Sequence, residues 1–183
     1  MISTYPGTKV ERFFLKDGPV GFLGQIFIKL QNRKLLSLLP ENYEINGWLK
    51  ENTTKLENNN QQFSRYPLEL LTCGAAQGII QKYIKDGQNS VFLEVALYNM
   101  RNSTNAARIY RKLSIRTEKT WDMNADATEA RVDDSRLFTY LLDLRKYSYF
   151  IRITASGKDL NSLQNAKRFA HTVSSRIEKL LAR

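Results

Sequence analysis

Chemistry based on imidazole or thiol would rest on single residues in this chain: His171 and Cys73 are its one histidine and one cysteine in 183 residues. Zinc clusters and activated nucleophiles draw mostly on those two residue types. One copy of the chain therefore assembles neither a zinc cluster nor a disulfide framework. On a helical wheel His171 falls beside Lys167, Ser174, Ser175 and Glu178, off the apolar stripe. That position reads as a surface histidine, because no partner residue flanks it to make it a base or a metal ligand. Cys73 stands next to Gly74 and reads as a small buried hydrophobe. The best metal pattern is Asp122, Asn124 and Asp126 at alternate positions, with Asp133 eleven residues after the first. Such oxygens suit calcium. However, Ala127 stands where a calcium loop requires glycine, and Glu129 where it usually has an apolar residue. A solvated acidic loop is the expectation there. Gly74, Gly78 and Gly87 lack the spacing of a phosphate loop, and no Gly-x-Ser-x-Gly elbow occurs. Seven acids lie between Glu118 and Asp143, but no pair of them stands out for acid–base work. The sequence assigns no catalytic residue, cofactor or metal.

Charge points to the class of partner. Lys and Arg number 28 against 18 Asp and Glu, a net charge of +10. That excess suits an anionic partner. Arg101, Arg108, Arg111, Lys112, Arg116 and Lys119 fall within nineteen positions, against Glu118 alone. Arg108, Arg111 and Lys112 share one side of a predicted helix, with Tyr110 and Trp121 near. A nucleic-acid or polyanion surface fits this pattern, as does an ordinary solvated helix face.

The elements that must position these residues follow from periodicity. The length suits one domain, 1–183, with 1–39 as an N-terminal extension or docking segment. The 42% apolar content, with nine Phe and nine Tyr, is that of a globular chain. The uncharged run Gly18–Ile28 is too short for a span of ~20 residues. Lys9, Glu11, Lys16 and Asp17 leave no signal-peptide core in this numbering. Val20 to Leu39 is expected to be helical or strand-like and to stop at Pro40, and 51–65 to be a polar loop. Leu68, Leu71, Ala75, Ile79 and Tyr83 predict a helix from Pro67 to Gly87. Gly74 and Gly78 inside it imply that another backbone or a ligand comes close. Ser90–Tyr98 alternates as a strand, and a helix capped near Asn102 would bury Ala106, Ile109, Tyr110 and Leu113. Leu137–Leu144 and Tyr147–Ala155 read as a hairpin turning at Arg145-Lys146. Leu163, Ala166, Ala170, Val173, Ile177 and Leu180 predict a closing helix capped by Asp159 or Asn161. The sum is α+β: an antiparallel sheet packed against helices, with a long C-terminal helix.

Several of these segments resemble a bacterial domain family of unknown function, mostly exported, periplasmic or lipid-anchored. The resembling parts are Leu39-Pro40, Gly47-Trp48, LLTCGAAQGIIQKYIKDG at 70–87, VALYNMRNSTNAARIY at 95–110 and YFIRITA at 149–155. Tyr98, Met100, Asn105 and Ala106 meet one pattern of the family, while Thr72-Cys73 departs from the residues expected before its Gly-Ala-Ala. The resemblance covers about 39–180 and implies a mixed fold outside the cytoplasm. It brings no activity, cofactor or catalytic residue. The expected function is a non-catalytic binding or accessory domain for a protein or small ligand. Its expected surface is Trp48, Gly74, Gly78, Tyr83, Tyr98, Arg108, Tyr110 and Arg111. A polyanion module and a carboxylate hydrolase are the alternatives.

Overall fold

The structure, a computed structural model, describes residues 34–57, 68–123 and 127–182. Seven antiparallel strands form one sheet: β1 (Trp48–Glu57), β2 (Gln77–Lys85), β3 (Gln88–Asn99), β4 (Lys119–Thr120), β5 (Glu129–Asp133), β6 (Thr139–Lys146) and β7 (Tyr149–Ser156). Their spatial order is β1-β2-β3-β7-β6-β5-β4. Among the described residues, three helices besides a single turn at 34–37 complete the α+β fold: α1 (Leu68–Thr72), α2 (Ser103–Lys112) and α3 (Leu160–Leu181). β3 and β7 are neighbours at the centre, so after β3 the chain crosses through α2 to the far edge strand β4 and returns through β5 and β6 to β7.

Strand alternation sends each central strand's side chains to two different layers. Val95 and Leu97 of β3, Ile151 and Ile153 of β7, and Leu142 and Leu144 of β6 face α3. They meet Ala166, Phe169, Ala170, Val173 and Ile177, the expected stripe of the closing helix with Phe169 added. Asp159 caps that helix, its carboxylate accepting the Ser162 amide at 2.7 Å. The alternate residues Ala96, Tyr98 and Phe150 face the other way, onto Leu70 and Cys73 beside α1 and Ala106, Ile109 and Tyr110 of α2. Asn102 caps α2 through the Asn105 amide at 2.8 Å.

The helix expected over 67–87 is corrected: only 68–72 is helical, and 77–85 is β2. Gly74, at φ +87°, ends α1 in a left-handed cap. Its amide donates to Leu71, and the Ala75 amide donates to Leu70 at 3.0 Å, a Schellman pattern. Beyond it, Ile79 and Tyr83 lie four apart, a spacing that satisfies a helix and a strand alike. The expected polar loop at 51–65 is also corrected, since 48–57 is the edge strand β1, mostly exposed between Trp48 and Leu56; 58–65 lie outside the described residues. Of the acidic loop expected over 122–126, residues 122–123 carry no regular structure and 124–126 lie outside the described residues; β5 begins after it, at Glu129. The hairpin turns at Tyr147-Ser148, two residues later than expected, with Tyr147 at φ +51°. Of the segment expected over 20–39, residues 34–37 form a helical turn that buries Leu35, and Leu38 and Leu39 after it are buried too. Residues 1–33 lie outside the described residues.

Candidate functional site

The eight residues expected on one surface divide between the two faces of the sheet. Trp48 (3% exposed) and Tyr83 (0%) lie in the α3 layer, edge-on to Phe169 with ring centroids 5.7 and 4.7 Å away. The Tyr83 hydroxyl donates to the Pro40 carbonyl at 2.9 Å, and burial pushes its phenol far above the ordinary range. Both are core residues. Gly78, Tyr98 and Tyr110 lie on the opposite face. A Cβ on Gly78 would come within 2.7 Å of the Tyr98 ring, so the close approach inferred from glycine is made by that ring. At Gly74 it is made by Asn105, whose Nδ2 would lie 2.6 Å from an added Cβ. Arg108 and Arg111 are exposed on α2. Cys73 is buried and unpaired.

On this second face a row of ionised side chains crosses three strands. Arg131 of β5, Asp143 of β6 and Arg152 of β7 are direct cross-strand neighbours. The Asp143 carboxylate accepts Arg131 Nη2 at 2.8 Å, Arg152 Nε at 2.7 Å and Arg152 Nη2 at 2.8 Å. The Arg131 guanidinium lies over the Tyr110 ring, 4.1 Å from its centroid. Its Nε sits 3.0 Å from a Glu118 oxygen, close enough for an ion pair but poorly aligned for a hydrogen bond. Burial pushes the Tyr110 phenol up to about 12, partly opposed by Arg131. Sequence reasoning missed this row. Its only signal is charge at alternate positions of β5 (Glu129, Arg131, Asp133) and β6 (Asp143, Arg145), which hydrophobic periodicity discards.

Beside the row a cleft of about 470 Å³ opens between the turn after α2, the chain from β4 to Met123, and β5. Tyr110, Ile115, Trp121 and Met123 provide its apolar walls; Glu118, Asp122, Thr128, Glu129 and Arg131 provide polar ones. The volume lies within the range of small-molecule sites. Ser114 Oγ donates to Glu118 at 2.8 Å. Behind the cleft, Trp121 packs edge-on to His171 (centroids 5.4 Å apart) and under Lys167 Nζ at 4.9 Å. His171 is thus half-buried against an aromatic ring. A smaller groove of about 160 Å³ lies on the same sheet face, between α1 and the end of α2.

Of the calcium candidates, Asp122 lines the cleft, whereas Asn124 and Asp126 lie outside the described residues. Asp133 is engaged locally, accepting Ser135 Oγ at 2.6 Å, the Ser135 amide at 3.0 Å and Arg136 Nε at 3.2 Å. Among the described residues no group of three His, Cys, Asp or Glu is placed to hold a metal. Of the basic cluster, Lys119 is paired with Asp134 at 2.5 Å and Lys112 donates to Thr72 Oγ1 at 3.3 Å. Arg101, Arg108, Arg111 and Arg116 are exposed. No helix among the described residues is long and apolar enough to cross a membrane.

No family model matches the chain, and no curated protein matches it. Its fold is similar to that of the extracellular domain of PknH from Mycobacterium tuberculosis, with a TM-score of 0.53 at 10% identity over 80% of this chain and 96% of that one. At such identity the likeness is one of fold.

Proposed function

We propose that the chain is a non-catalytic ligand-binding or accessory domain of the bacterial envelope. The 470 Å³ cleft carries this reading. It joins aromatic walls at Tyr110 and Trp121 to a few fixed polar groups, the composition of a recognition pocket. Two of the acids that line it are held by neighbours: Glu118 accepts from Ser114 and faces Arg131, and Glu129 is paired with Arg145. That arrangement suits binding better than the carboxylate hydrolase considered above. The envelope setting rests on the resemblance of 39–180 to exported proteins and on the fold shared with an extracellular domain. The test is an amide NMR screen of the full chain against a fragment library of sugars, amines and aromatic acids. The expected result is shifts grouped at 114–123 and 128–131. No grouped shifts, or steady turnover in a hydrolase substrate panel, would overturn the reading.

One observation favours a second reading. Arg108, Arg111 and Arg116 stand exposed with no ion pair to a described residue, so α2 and the turn after it present concentrated positive charge. A polyanion would dock there by displacing counterions, and its affinity would fall steeply with salt. Heparin retention is the measurement. The paired substitution Arg108→Glu and Arg111→Glu should move elution to markedly lower salt, and unchanged elution removes this reading.

A further inference from the structure

The smaller groove on the α1–α2 face is built differently from the cleft, and its polar end is unusual. Leu70, Leu113, Ile80 and Tyr98 provide apolar walls, and Glu94 and Arg152 provide its two charged groups. Glu94 lies on β3 and Arg152 on β7; Glu94 is opposite Thr154 and Ala96 is opposite Arg152, so the two are diagonal neighbours on one face. The natural partner of Glu94 is Lys82, directly across on β2. Lys82 instead pairs with Glu51 of β1 at 2.6 Å and lies over the Phe92 ring. Glu94 is left half-buried with no hydrogen bond or ion pair to a described residue. A carboxylate in that condition is costly unless something else meets it. Burial pushes its carboxyl up, and Lys82 only partly opposes this. Arg152 has the complementary vacancy: Nε and Nη2 are bound to Asp143, whereas Nη1 makes no bond to a described residue.

We propose that this groove binds a small zwitterion with an apolar body, of the class of hydrophobic α-amino acids. The ammonium would meet Glu94, the carboxylate would meet Arg152 Nη1, and the side chain would lie on Ile80 and Tyr98. The volume of about 160 Å³ is below the roughly 300 Å³ at which drug-sized sites begin, so it limits the ligand to a molecule of a few heavy atoms and excludes a peptide or an oligosaccharide. An ammonium on Glu94 replaces the missing ion pair, and a carboxylate on a guanidinium gains a charge-assisted bond. The site is separate from the cleft and does not rest on it.

Calorimetry on the full chain tests the assignment with L-leucine, isopentylamine (leucine without its carboxylate) and 4-methylpentanoate (leucine without its ammonium). Leucine should bind, and each truncated probe should bind at least roughly tenfold more weakly. Glu94→Gln keeps the shape and removes the charge, so it should weaken leucine roughly tenfold while leaving the thermal midpoint close to that of the parent chain. Ile80→Trp, which fills the groove from a half-buried position, should abolish binding with Glu94 intact. No heat from leucine at about 10 mM overturns the proposal. So does equal binding of isopentylamine, or leucine binding that neither variant alters. The NMR screen at 114–131 is independent of these outcomes, so one site can fail while the other stands.

Discussion

Asp143 is the residue on which the second face depends most. Its carboxylate, 1% exposed, is shared by Arg131 and Arg152, and Arg131 is itself 5% exposed. Removing it leaves the buried Arg131 and the half-buried Arg152 without their shared carboxylate, and breaking a buried pair in this way costs about 3–5 kcal/mol. Asp143→Ala should lower stability by that order in urea denaturation, whereas Asp143→Asn, which keeps an acceptor, should cost less. Equal losses would mean that packing alone matters at this position. Asp133 makes a pH prediction. Burial raises its pKa, but the Ser135 and Arg136 bonds outweigh this and hold the carboxyl below its ordinary value. A folded value below the unfolded one means that the stabilisation is complete above the unfolded carboxylate value of about 4. It is lost as pH falls further, through the folded value. Asp133→Asn should therefore lower the neutral plateau of the urea midpoint and flatten its acid limb, so that variant and parent converge as pH falls.

Elements whose burial is apolar were legible in the sequence, and elements whose burial is ionic or whose spacing is ambiguous were not. α3 was readable because Ala166, Ala170, Val173 and Ile177 are both apolar and buried, and its Asp159 cap is a sequence signal with a geometric meaning. β3 and β7 were readable because their inward residues alternate with a period of two. β5 escaped notice because Arg131 and Asp133 are buried while charged. β1 escaped because an exposed edge strand needs few apolar residues. The stretch from 68 to 85 misled because spacings of three and four fit a helix until Gly74 is given its left-handed backbone. The candidate sites were only half legible: Tyr98 and Tyr110, though buried, line the groove and the cleft, whereas Trp48 and Tyr83 carry the same chemical signal and are buried under α3. Gly74 therefore makes an element-level prediction. At φ +87°, with Asn105 Nδ2 2.6 Å from an added Cβ, Gly74→Ala strains the backbone and displaces the side chain that packs α2 against α1. It should destabilise the chain by about 1–3 kcal/mol in urea denaturation. A neutral substitution would mean that α1 does not end there.

At the scale of the whole molecule, one sheet carries two unlike layers: a long helix over aliphatic residues on one side, and short helices over aromatic and ionic residues on the other. β3 and β7 serve both, since Leu97 and Ile151 face α3 while Tyr98 and Phe150 face α1 and α2. Neither layer can lose its half of those strands without exposing the other, so the two should open together. Each layer contains its own reporter. Trp48 is buried against Phe169 in the α3 layer, and Cys73, the chain's one thiol, is 1% exposed in the α1–α2 layer. A cooperative chain gives the same free energy of opening by thiol trapping of Cys73 as by Trp48 fluorescence in a Trp121→Phe background. We expect the two values to agree across the urea range. Cys73 reacting through an opening much less costly than global unfolding would instead make the α1–α2 layer a separable unit. The amino-acid groove would then sit on a face that can loosen while the α3 layer, which packs with Trp121 and Met123 of the cleft, stays folded.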